Sequence, residues 1–273
     1  MIFFPNCKIN LGLKILRKRE DGYHDLETIF YPLAIKDVLE ISRSEQPGFT
    51  VYGLPIPGDS NSNLCIKAYE LLKKDFPTLP FVDIHLYKHI PIGAGLGGGS
   101  SDGASMLLLL NKQFQLQLSN EQLLHYAAQL GSDCPFFIVN TPCIGGGRGE
   151  VLEPIALDLS GYTIVLIDPQ LHISTARAFA LCTPTPSGPS IKDVIQLPVS
   201  SWPGQLINDF EEPVFRLHPH LRDIKTLFYA QGASYAALTG SGSSLFGIFE
   251  KGKTPALPAD SLPFHFEKFE VSC

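Results

Sequence analysis

Glycine, serine and aspartate are concentrated between residues 91 and 105, where the sequence reads PIGAGLGGGSSDGAS and continues directly into MLLLL. Glycines leave successive main-chain N–H groups open to a ligand, and a helix that follows them adds partial positive charge at its N-terminus. Ser100 and Ser101 supply hydroxyl groups for a phosphate oxygen or its Mg²⁺. This combination favours a site that binds a triphosphate through the main chain and uses no lysine of its own.

Three other interpretations of this segment are weaker. A flexible linker has polar, low-complexity flanks, whereas residues 93–103 lie between an expected strand and an apolar helix. A Walker P-loop ends in Gly-Lys-Ser/Thr, but here Ser100 follows Gly99 directly. Residues 93–98 satisfy the dinucleotide pattern G-x-G-x-x-G, yet NKQFQLQLSNEQLL follows where a second strand with a terminal carboxylate is required.

Length and composition restrict the class of protein. A chain of 273 residues with 44% hydrophobic residues can bury the core of one large domain or of two smaller ones. The formal net charge is -6 and no dense Lys/Arg run occurs, which argues against a nucleic acid as an obligate partner. The N-terminal sequence MIFFPNCKIN lacks the features of an export signal, and the longest apolar stretch is too short to span a bilayer. We therefore expect no membrane partner.

The cysteines indicate a reducing compartment. Six are scattered without a C-x-x-C pair, which fits neither a disulfide framework nor a zinc site of standard spacing: Cys7, Cys65, Cys134, Cys143, Cys182 and Cys273. Together with the absence of an export signal from the sequence, they predict a cytoplasmic protein.

Periodicity and turn residues outline the elements before and after the glycine segment. Strands are expected at 8–16 and 24–33 around the turn dipeptide at 21–22, a helix at 63–74 and a strand at 81–90. A second helix should begin near Asp102 or Gly103, and Ser119 with Gln122 has the spacing of a capping box for a third.

The second half of the chain continues the mixture of strands and helices. A buried strand is expected at 162–168, a surface loop at 183–190 and a helix at 220–231 with Gly232 as its C-terminal cap. A second glycine stretch at 239–249 leads into a strand. This mixed order favours an α+β fold over a doubly wound parallel sheet.

The glycine segment resembles the signature loop of the GHMP kinase superfamily, whose members phosphorylate small molecules. Three more stretches extend the resemblance over nearly the whole chain: KINLGL with DGYHDLETIF, GSDCPFF at 131–137 and TGSGSSLF at 239–246. The family fold that this implies is two α+β domains with the active site in the cleft between them. We accordingly divide the chain into an N-terminal ATP-binding domain, residues 1–155, and a C-terminal GHMP kinase domain, residues 156–273.

The resemblance also implies the reaction and its participants. The γ-phosphoryl group of ATP, with Mg²⁺, would be transferred to the 2-hydroxyl of a cytidine-diphosphate-linked methylerythritol in non-mevalonate isoprenoid biosynthesis. Two alternatives stay open: another GHMP kinase of the homoserine or mevalonate type, and a catalytically silent nucleotide-binding protein. The aromatic residues of DGYHDLETIF suit a substrate with a nucleobase, and the presence of both Lys8 and Asp133 argues against the silent protein.

Two residues match the family's catalytic positions. An aliphatic hydroxyl is a poor nucleophile, so a kinase gains from a carboxylate that accepts its proton and a cation that stabilises the developing negative charge. Asp133 is the expected base, with a helix N-cap before Pro135 as its alternative role. Lys8 is the expected cation and would orient Asp133; Asn10, two residues along the strand, lies on the same face and can line the same pocket.

The remaining expected site residues follow the family motifs. For ATP they are Pro91, Ile92, Gly93, Ala94, Gly95, Leu96, Gly97, Gly98, Gly99, Ser100, Ser101, Asn63 and Lys88; for the substrate they are Asn10, Tyr23, His24, Phe30, Phe179, Gly240, Gly242 and Ser243. Phe30 could instead belong to the core, His24 to an unliganded hairpin and the residues at 240–243 to a simple tight turn.

The metal position departs from the superfamily pattern. Many members carry a glutamate on the helix after the glycine segment, whereas this chain has Asp102, Gly103, Ala104 and Ser105. Asp102 is not assumed to replace that glutamate. ATP, Ser101 and water are the expected holders of Mg²⁺, and its protein ligand stays open.

Overall fold

Two compact units make up the computed structural model, which describes residues 1–184, 188–253, 255 and 267–272. The first unit comprises Met1–Cys7, Ala34–Ile92 and Gly97–Thr141; the second comprises Lys8–Leu33, Gly93–Leu96 and Pro142–Cys273. The units interleave along the sequence, so they do not test a single division at residues 155 and 156, which stays a prediction.

The elements follow one another in a mixed order. The described strands are β1 (Ile2–Phe3), β2 (Asn6–Lys18), β3 (His24–Lys36), β4 (Val38–Arg43), β5 (Gly48–Gly53), β6 (Val82–Lys88), β7 (Cys143–Gly146), β8 (Val151–Pro154), β9 (Tyr162–Asp168), β10 (Tyr235–Leu238), β11 (Leu245–Glu250) and β12 (Glu267–Ser272). The helices are α1 (Leu64–Asp75), α2 (Gly98–Gln113), α3 (Asn120–Leu130), α4 (Cys134–Val139), α5 (Thr175–Leu181), α6 (Ile191–Val194), α7 (Glu211–Leu217) and α8 (His220–Ala230), with 3₁₀ turns at Ser60–Ser62 and Val199–Ser201.

A four-stranded sheet with helices on one face forms the first unit. Its order is β1-β4-β6-β5, antiparallel except for the parallel pair β5 and β6. Along β6, Ile84 and Leu86 are buried while Tyr87 is half exposed, the alternation of a sheet with one covered face. Helix α2 carries the buried apolar residues Leu107 and Leu110, and packs against α1 and α4.

Two further four-stranded sheets form the second unit, in the orders β2-β3-β7-β8 and β10-β11-β9-β12. Strand β9 is buried because it lies between β11 and β12 within its sheet. Its Val165 and Ile167 join a core cluster with Phe210 and Phe228 of the following helical region. The backbone N–H of Leu13 on β2 donates to the carbonyl of Ile207 at 2.9 Å. This bond connects the sheet β2-β3-β7-β8 to the segment that precedes α7.

The structure confirms most of the expected elements. The hairpin strands, α1, β6, β9 and α8 occur where periodicity predicts them, and the α+β class is confirmed. The expected start of α2 near residue 102 is wrong, because α2 begins at Gly98. A glycine run lowers helix propensity, but tertiary packing of the apolar residues that follow overrides this weak preference. Of the loop expected at 183–190, residues 185–187 lie outside the described residues.

No helix in the described ranges combines the length and apolarity that crossing a membrane requires. Five cysteines of the described chain form no disulfide, and Cys273 lies outside it.

Replacement of Ser119 tests the capping box of α3. The Ser119 hydroxyl accepts from the Gln122 N–H, and the Gln122 side chain accepts from the Ser119 N–H at 2.9 Å. We expect Ser119→Ala to lower the free energy of unfolding by about 1 kcal/mol, the usual cost of a lost N-cap. Urea denaturation measures the change, with Ser42→Ala, at an exposed position of β4, as the matched control. Equal midpoints for both variants would contradict the role of the box.

Candidate active site

The glycine segment changes conformation at Gly97. This residue has a left-handed φ of 70° and stands immediately before the first helical residue of α2. The N–H of Ser101 already donates to the Gly97 carbonyl at 2.9 Å, so the donors without an intrahelical partner belong to the residues before it. Those N–H groups, with the positive end of a sixteen-residue helix, can bind phosphate oxygens.

The two serines of the segment differ in accessibility. Ser101 is buried, whereas Ser100 is half-buried and shares a hydrogen bond with the thiol of Cys134. Burial raises the pKa of that thiol to about 12, so it remains protonated. Ser100 is therefore the more accessible hydroxyl for a ligand on the helix terminus.

Gly95 brings the first glycine segment against the second. Its φ is +79°, and a Cβ atom at this position would lie 2.1 Å from the carbonyl oxygen of Thr239. The Gly95 carbonyl accepts a hydrogen bond from the Thr239 hydroxyl at 3.2 Å, and the Ser244 N–H donates to the Ala94 carbonyl at 3.2 Å. A side chain is therefore excluded at Gly95 by main chain from a segment 144 residues away.

Lys8 points its ammonium at this junction. Its Nζ donates to the Gly95 carbonyl at 2.9 Å and to the Asn10 Oδ1 at 2.6 Å, and its side chain is buried. The carboxamide of Asn10 in turn donates to the Thr28 hydroxyl at 3.0 Å. The prediction that Lys8 and Asn10 share one face is confirmed, and Asn10 fixes the direction of the ammonium.

The second glycine stretch is a tight turn that also supports the first. The N–H of Gly242 donates to the Thr239 carbonyl at 3.0 Å, which closes the turn. A Cβ on Gly240 would lie 3.1 Å from the Gly95 carbonyl, so the two glycine segments touch through main chain. Ser243 is buried, and its hydroxyl donates to the carbonyl of Leu171.

Asp133 stands at the N-terminus of α4, with Pro135 in the first turn. It is half-buried, and among the described residues its side chain makes no capping hydrogen bond with that helix. Its backbone is helical, with φ -84° and ψ -15°, unlike the extended conformation of a typical N-cap. Asp133 therefore occupies the N-cap position of α4 without the side-chain hydrogen bond of a typical cap, and its role as a base stays a prediction.

Lys88 lies at the end of β6, just before the glycine segment, and is buried. Its Nζ donates to the Oδ2 of Asp37 and, at 2.7 Å, to the Oδ2 of Asp102. Burial opposes the charge of Lys88, but the two carboxylates outweigh it and raise the pKa of its ammonium. Burial also raises the pKa of Asp102, against the opposite effect of the Lys88 ammonium.

Asn63 occupies the cap position of α1 and lines a pocket. Its Oδ1 accepts from the N–H of Cys65 at 2.8 Å, which is the N-cap interaction. The pocket has a volume of about 280 Å³ and lies next to β5 and the turn that follows. Its lining residues are Phe49, Val51, Tyr52, Gly53, Leu54, Pro55, Ile56, Gly58, Asp59, Ser60 and Asn63.

Aromatic residues expected at the substrate end differ in exposure. Tyr23 is 53% exposed, with the guanidinium carbon of Arg148 4.8 Å from its ring centre. His24 stacks on Phe179 with 4.8 Å between ring centres and 13° between planes. Partial burial, and then the charge of Lys18, lower the pKa of His24, so its ring is neutral near pH 7.

Phe30 is a core residue in this structure. It is only 2% exposed, and a Cβ on Gly145 would lie 2.4 Å from its ring. Its ring centre is 5.5 Å from the Lys8 Nζ. Phe30 therefore packs beneath the ammonium, which agrees with the core alternative and leaves its contact with substrate a prediction.

Sequence reasoning missed four residues of these networks: Thr28, Asp37, Arg148 and Thr239. A usable signal existed for Thr28, because Leu26, Thr28 and Phe30 alternate on one buried face and a polar member is unusual there. Asp37 carries no such signal. Its partner Lys88 is 51 residues away, and only the folded sheet brings them together.

Family models and curated relatives that match this chain all point to the same family. The model of the GHMP kinases N terminal domain matches residues 63–141, and that of the GHMP kinases C terminal matches residues 198–268. A protein named 4-diphosphocytidyl-2-C-methyl-D-erythritol kinase from Bacteroides thetaiotaomicron is 54% identical over 92% of this chain and 92% of its own length. A protein of the same name from Azobacteroides pseudotrichonymphae is 49% identical over 98% of this chain and 100% of its own.

A solved structure extends this similarity to the fold. A crystal structure of 4-(cytidine 5'-diphospho)-2C-methyl-D-erythritol kinase is 32% identical to this chain, with a TM-score of 0.76. The match covers 91% of this chain and 90% of that chain.

Substitution of glycines in the first segment tests the close approach at residue 95. We expect Gly95→Ala to lower the free energy of unfolding by about 2 kcal/mol or more, because alanine is strained at positive φ and its Cβ meets the Thr239 carbonyl. Gly99→Ala is the matched control, since a Cβ there meets nothing within 4 Å. Thermal denaturation of both variants measures the difference, and a Gly95→Ala protein as stable as the control would contradict the packing.

Proposed function

This chain belongs to the 4-diphosphocytidyl-2-C-methyl-D-erythritol kinase family of GHMP kinases, and we propose that it catalyses the reaction of that family's name. In this reaction the γ-phosphoryl group of ATP passes to the 2-hydroxyl of 4-diphosphocytidyl-2-C-methyl-D-erythritol. The products are ADP and the 2-phosphate, which serves isoprenoid precursor synthesis. The cytoplasm stays the predicted location.

The N-terminus of α2 is the structural observation that carries the proposal. A phosphate bound there would meet open N–H donors and the helix dipole without a competing side chain, because Gly97, Gly98 and Gly99 carry none. Residues 91–101 are therefore the proposed triphosphate-binding segment. Asn63, on the pocket of about 280 Å³, is the side chain proposed to contact the nucleotide, and Lys88 is proposed to serve ATP from its buried position before the segment.

The proposed chemistry needs one base and one cation. The oxygen of the 2-hydroxyl attacks the γ-phosphorus, the bond from that phosphorus to the β–γ bridging oxygen breaks, and ADP leaves. Asp133, half-buried at the start of α4, is the carboxylate proposed to accept the hydroxyl proton. Lys8, held by Asn10 and the Gly95 carbonyl, supplies positive charge that stabilises the developing negative charge.

Aromatic residues are proposed for the cytidine end of the substrate. The exposed ring of Tyr23 and the stacked pair of His24 and Phe179 offer flat faces and a ring nitrogen to a pyrimidine. Phe30 contributes by packing near Lys8. Gly240, Gly242 and Ser243 are proposed to support the substrate pocket through the turn that touches Gly95.

Mg²⁺ is proposed to enter as the ATP complex. The described residues include no group of three or more His, Cys, Asp or Glu side chains that could hold a metal ion. The Asp102 Oδ1 is buried without a hydrogen-bond partner, but its Oδ2 is bonded to the Lys88 ammonium, which opposes a second cation. Mg²⁺ commonly keeps phosphate and water ligands, so a full protein site is not required. When bound, it would neutralise phosphate charge.

Replacement of Asp133 tests the proposed chemistry. We expect Asp133→Asn to bind ATP normally and to lose about 10²- to 10⁴-fold in turnover, the usual contribution of a positioned base. A coupled assay of ADP release with 4-diphosphocytidyl-2-C-methyl-D-erythritol measures the rate, and calorimetry measures ATP binding. Asp83→Asn, which alters a half-buried carboxylate paired with His85 on β6, is the matched control.

Two outcomes would overturn parts of the proposal. Turnover of Asp133→Asn close to wild type would remove Asp133 from the base role. A wild-type protein that binds ATP but releases no ADP with this alcohol would overturn the proposed reaction itself.

A further inference from the structure

The buried cluster of Lys88, Asp37 and Asp102 joins the two ends of the glycine segment. Lys88 ends β6 on the entry side, and Asp102 lies in the first turns of α2 on the exit side. Their side chains meet at 2.7 Å between Nζ and Oδ2, although fourteen positions separate them in sequence. The cluster therefore fixes the end of β6 relative to the first turns of α2.

Asp37 anchors the entry side through the main chain as well. Its Oδ1 accepts hydrogen bonds from the N–H groups of His89 at 2.6 Å and Ile90 at 2.8 Å, while its Oδ2 accepts from Lys88. Asp37 is completely buried. It thus sets the direction in which the chain leaves β6, and any effect that Asp37 has on a ligand must pass through the residues it holds.

The interaction of Asp102 at the exit side lowers the stability of the folded state. The Asp102 Oδ1 is buried and has no hydrogen-bond partner, and such an atom destabilises the folded state. A buried ion pair often adds less stability than apolar residues of the same volume. Two carboxylates on one ammonium are therefore a poor device for stability alone. Their geometry is suited to holding β6 and α2 at one separation.

The position of the Lys88 ammonium bears on its role. The side chain is 3% exposed, and its Nζ points between Asp37 and Asp102. On the basis of the proposed function, we propose that Asp37, Lys88 and Asp102 form a positioning clamp that preorganises the phosphate-binding turn, with Lys88 acting on ATP through this turn and not by direct contact. The clamp places the open N–H groups of α2 before the triphosphate arrives.

ATP affinity of single and double variants tests the clamp. We expect Asp37→Asn and Lys88→Met each to raise the ATP dissociation constant about tenfold to a hundredfold, the effect of losing one charge-assisted hydrogen bond to a phosphate. Because both act through one device, the double variant should bind ATP no more weakly than Lys88→Met. Calorimetry at a temperature where every variant is folded gives the constants. Lys73→Met, whose ammonium bonds to carbonyl groups elsewhere in the first unit, is the control and should bind as wild type.

The outcomes separate the clamp from a direct contact. The clamp would be overturned if Asp37→Asn binds ATP with wild-type affinity while Lys88→Met binds it more weakly. It would also be overturned if the increases in the ATP dissociation constant multiply in the double variant. If Lys88→Met does not fold, Asp37→Asn, Asp102→Asn and their double variant give the same comparison. Failure of the proposed function is distinct: wild type that binds ATP without phosphorylating the alcohol would contradict the reaction and leave the clamp measurement intact.

Discussion

The close contact of main chain at Gly95 is the constraint on which the arrangement of Lys8 and the two glycine segments depends. One carbonyl oxygen accepts from the Lys8 ammonium at 2.9 Å and from the Thr239 hydroxyl at 3.2 Å, while the N–H of Lys8 donates to the Leu96 carbonyl at 3.0 Å. Three segments that are far apart in sequence meet there. Any side chain at Gly95 would separate them, because its Cβ would overlap the Thr239 carbonyl.

The proposed phosphate-binding segment uses a helix terminus in place of a basic loop. A protein of net charge -6 offers little general attraction to ATP, so the attraction must be local. We propose that main-chain N–H groups at the start of α2 provide it, since Lys88 is occupied with Asp37 and Asp102 beneath the same turn. Binding through fixed N–H groups depends on where those groups lie. Buried polar side chains hold the backbone in position here: Asp37 accepts from the N–H groups of His89 and Ile90, and Lys8 donates to the Gly95 carbonyl.

Local signals in the sequence were sufficient for several elements and for the family. The turn at 21–22, the capping box of Ser119 and Gln122, and the apolar run of β9 each depend on neighbouring residues, and each is found in the structure. The start of α2 was missed because glycine propensity suggests a loop, whereas packing of Leu107 and Leu110 extends the helix back to Gly98. The contacts of Lys88 with Asp37 and of Gly95 with Thr239 could not be read from the chain, because 51 and 144 positions separate the partners.

The central claim is that this fold transfers a phosphoryl group from ATP to one hydroxyl of the cytidylated alcohol. Phosphorus NMR of the enzyme with ATP, Mg²⁺ and 4-diphosphocytidyl-2-C-methyl-D-erythritol tests it directly. Carbon 2 of the acceptor bears a methyl group and no hydrogen, so the predicted new phosphomonoester signal has no splitting from a proton on that carbon and grows as ATP becomes ADP. Inorganic phosphate without an ester, or an ester signal split by protons of a primary or secondary carbon, would contradict the account.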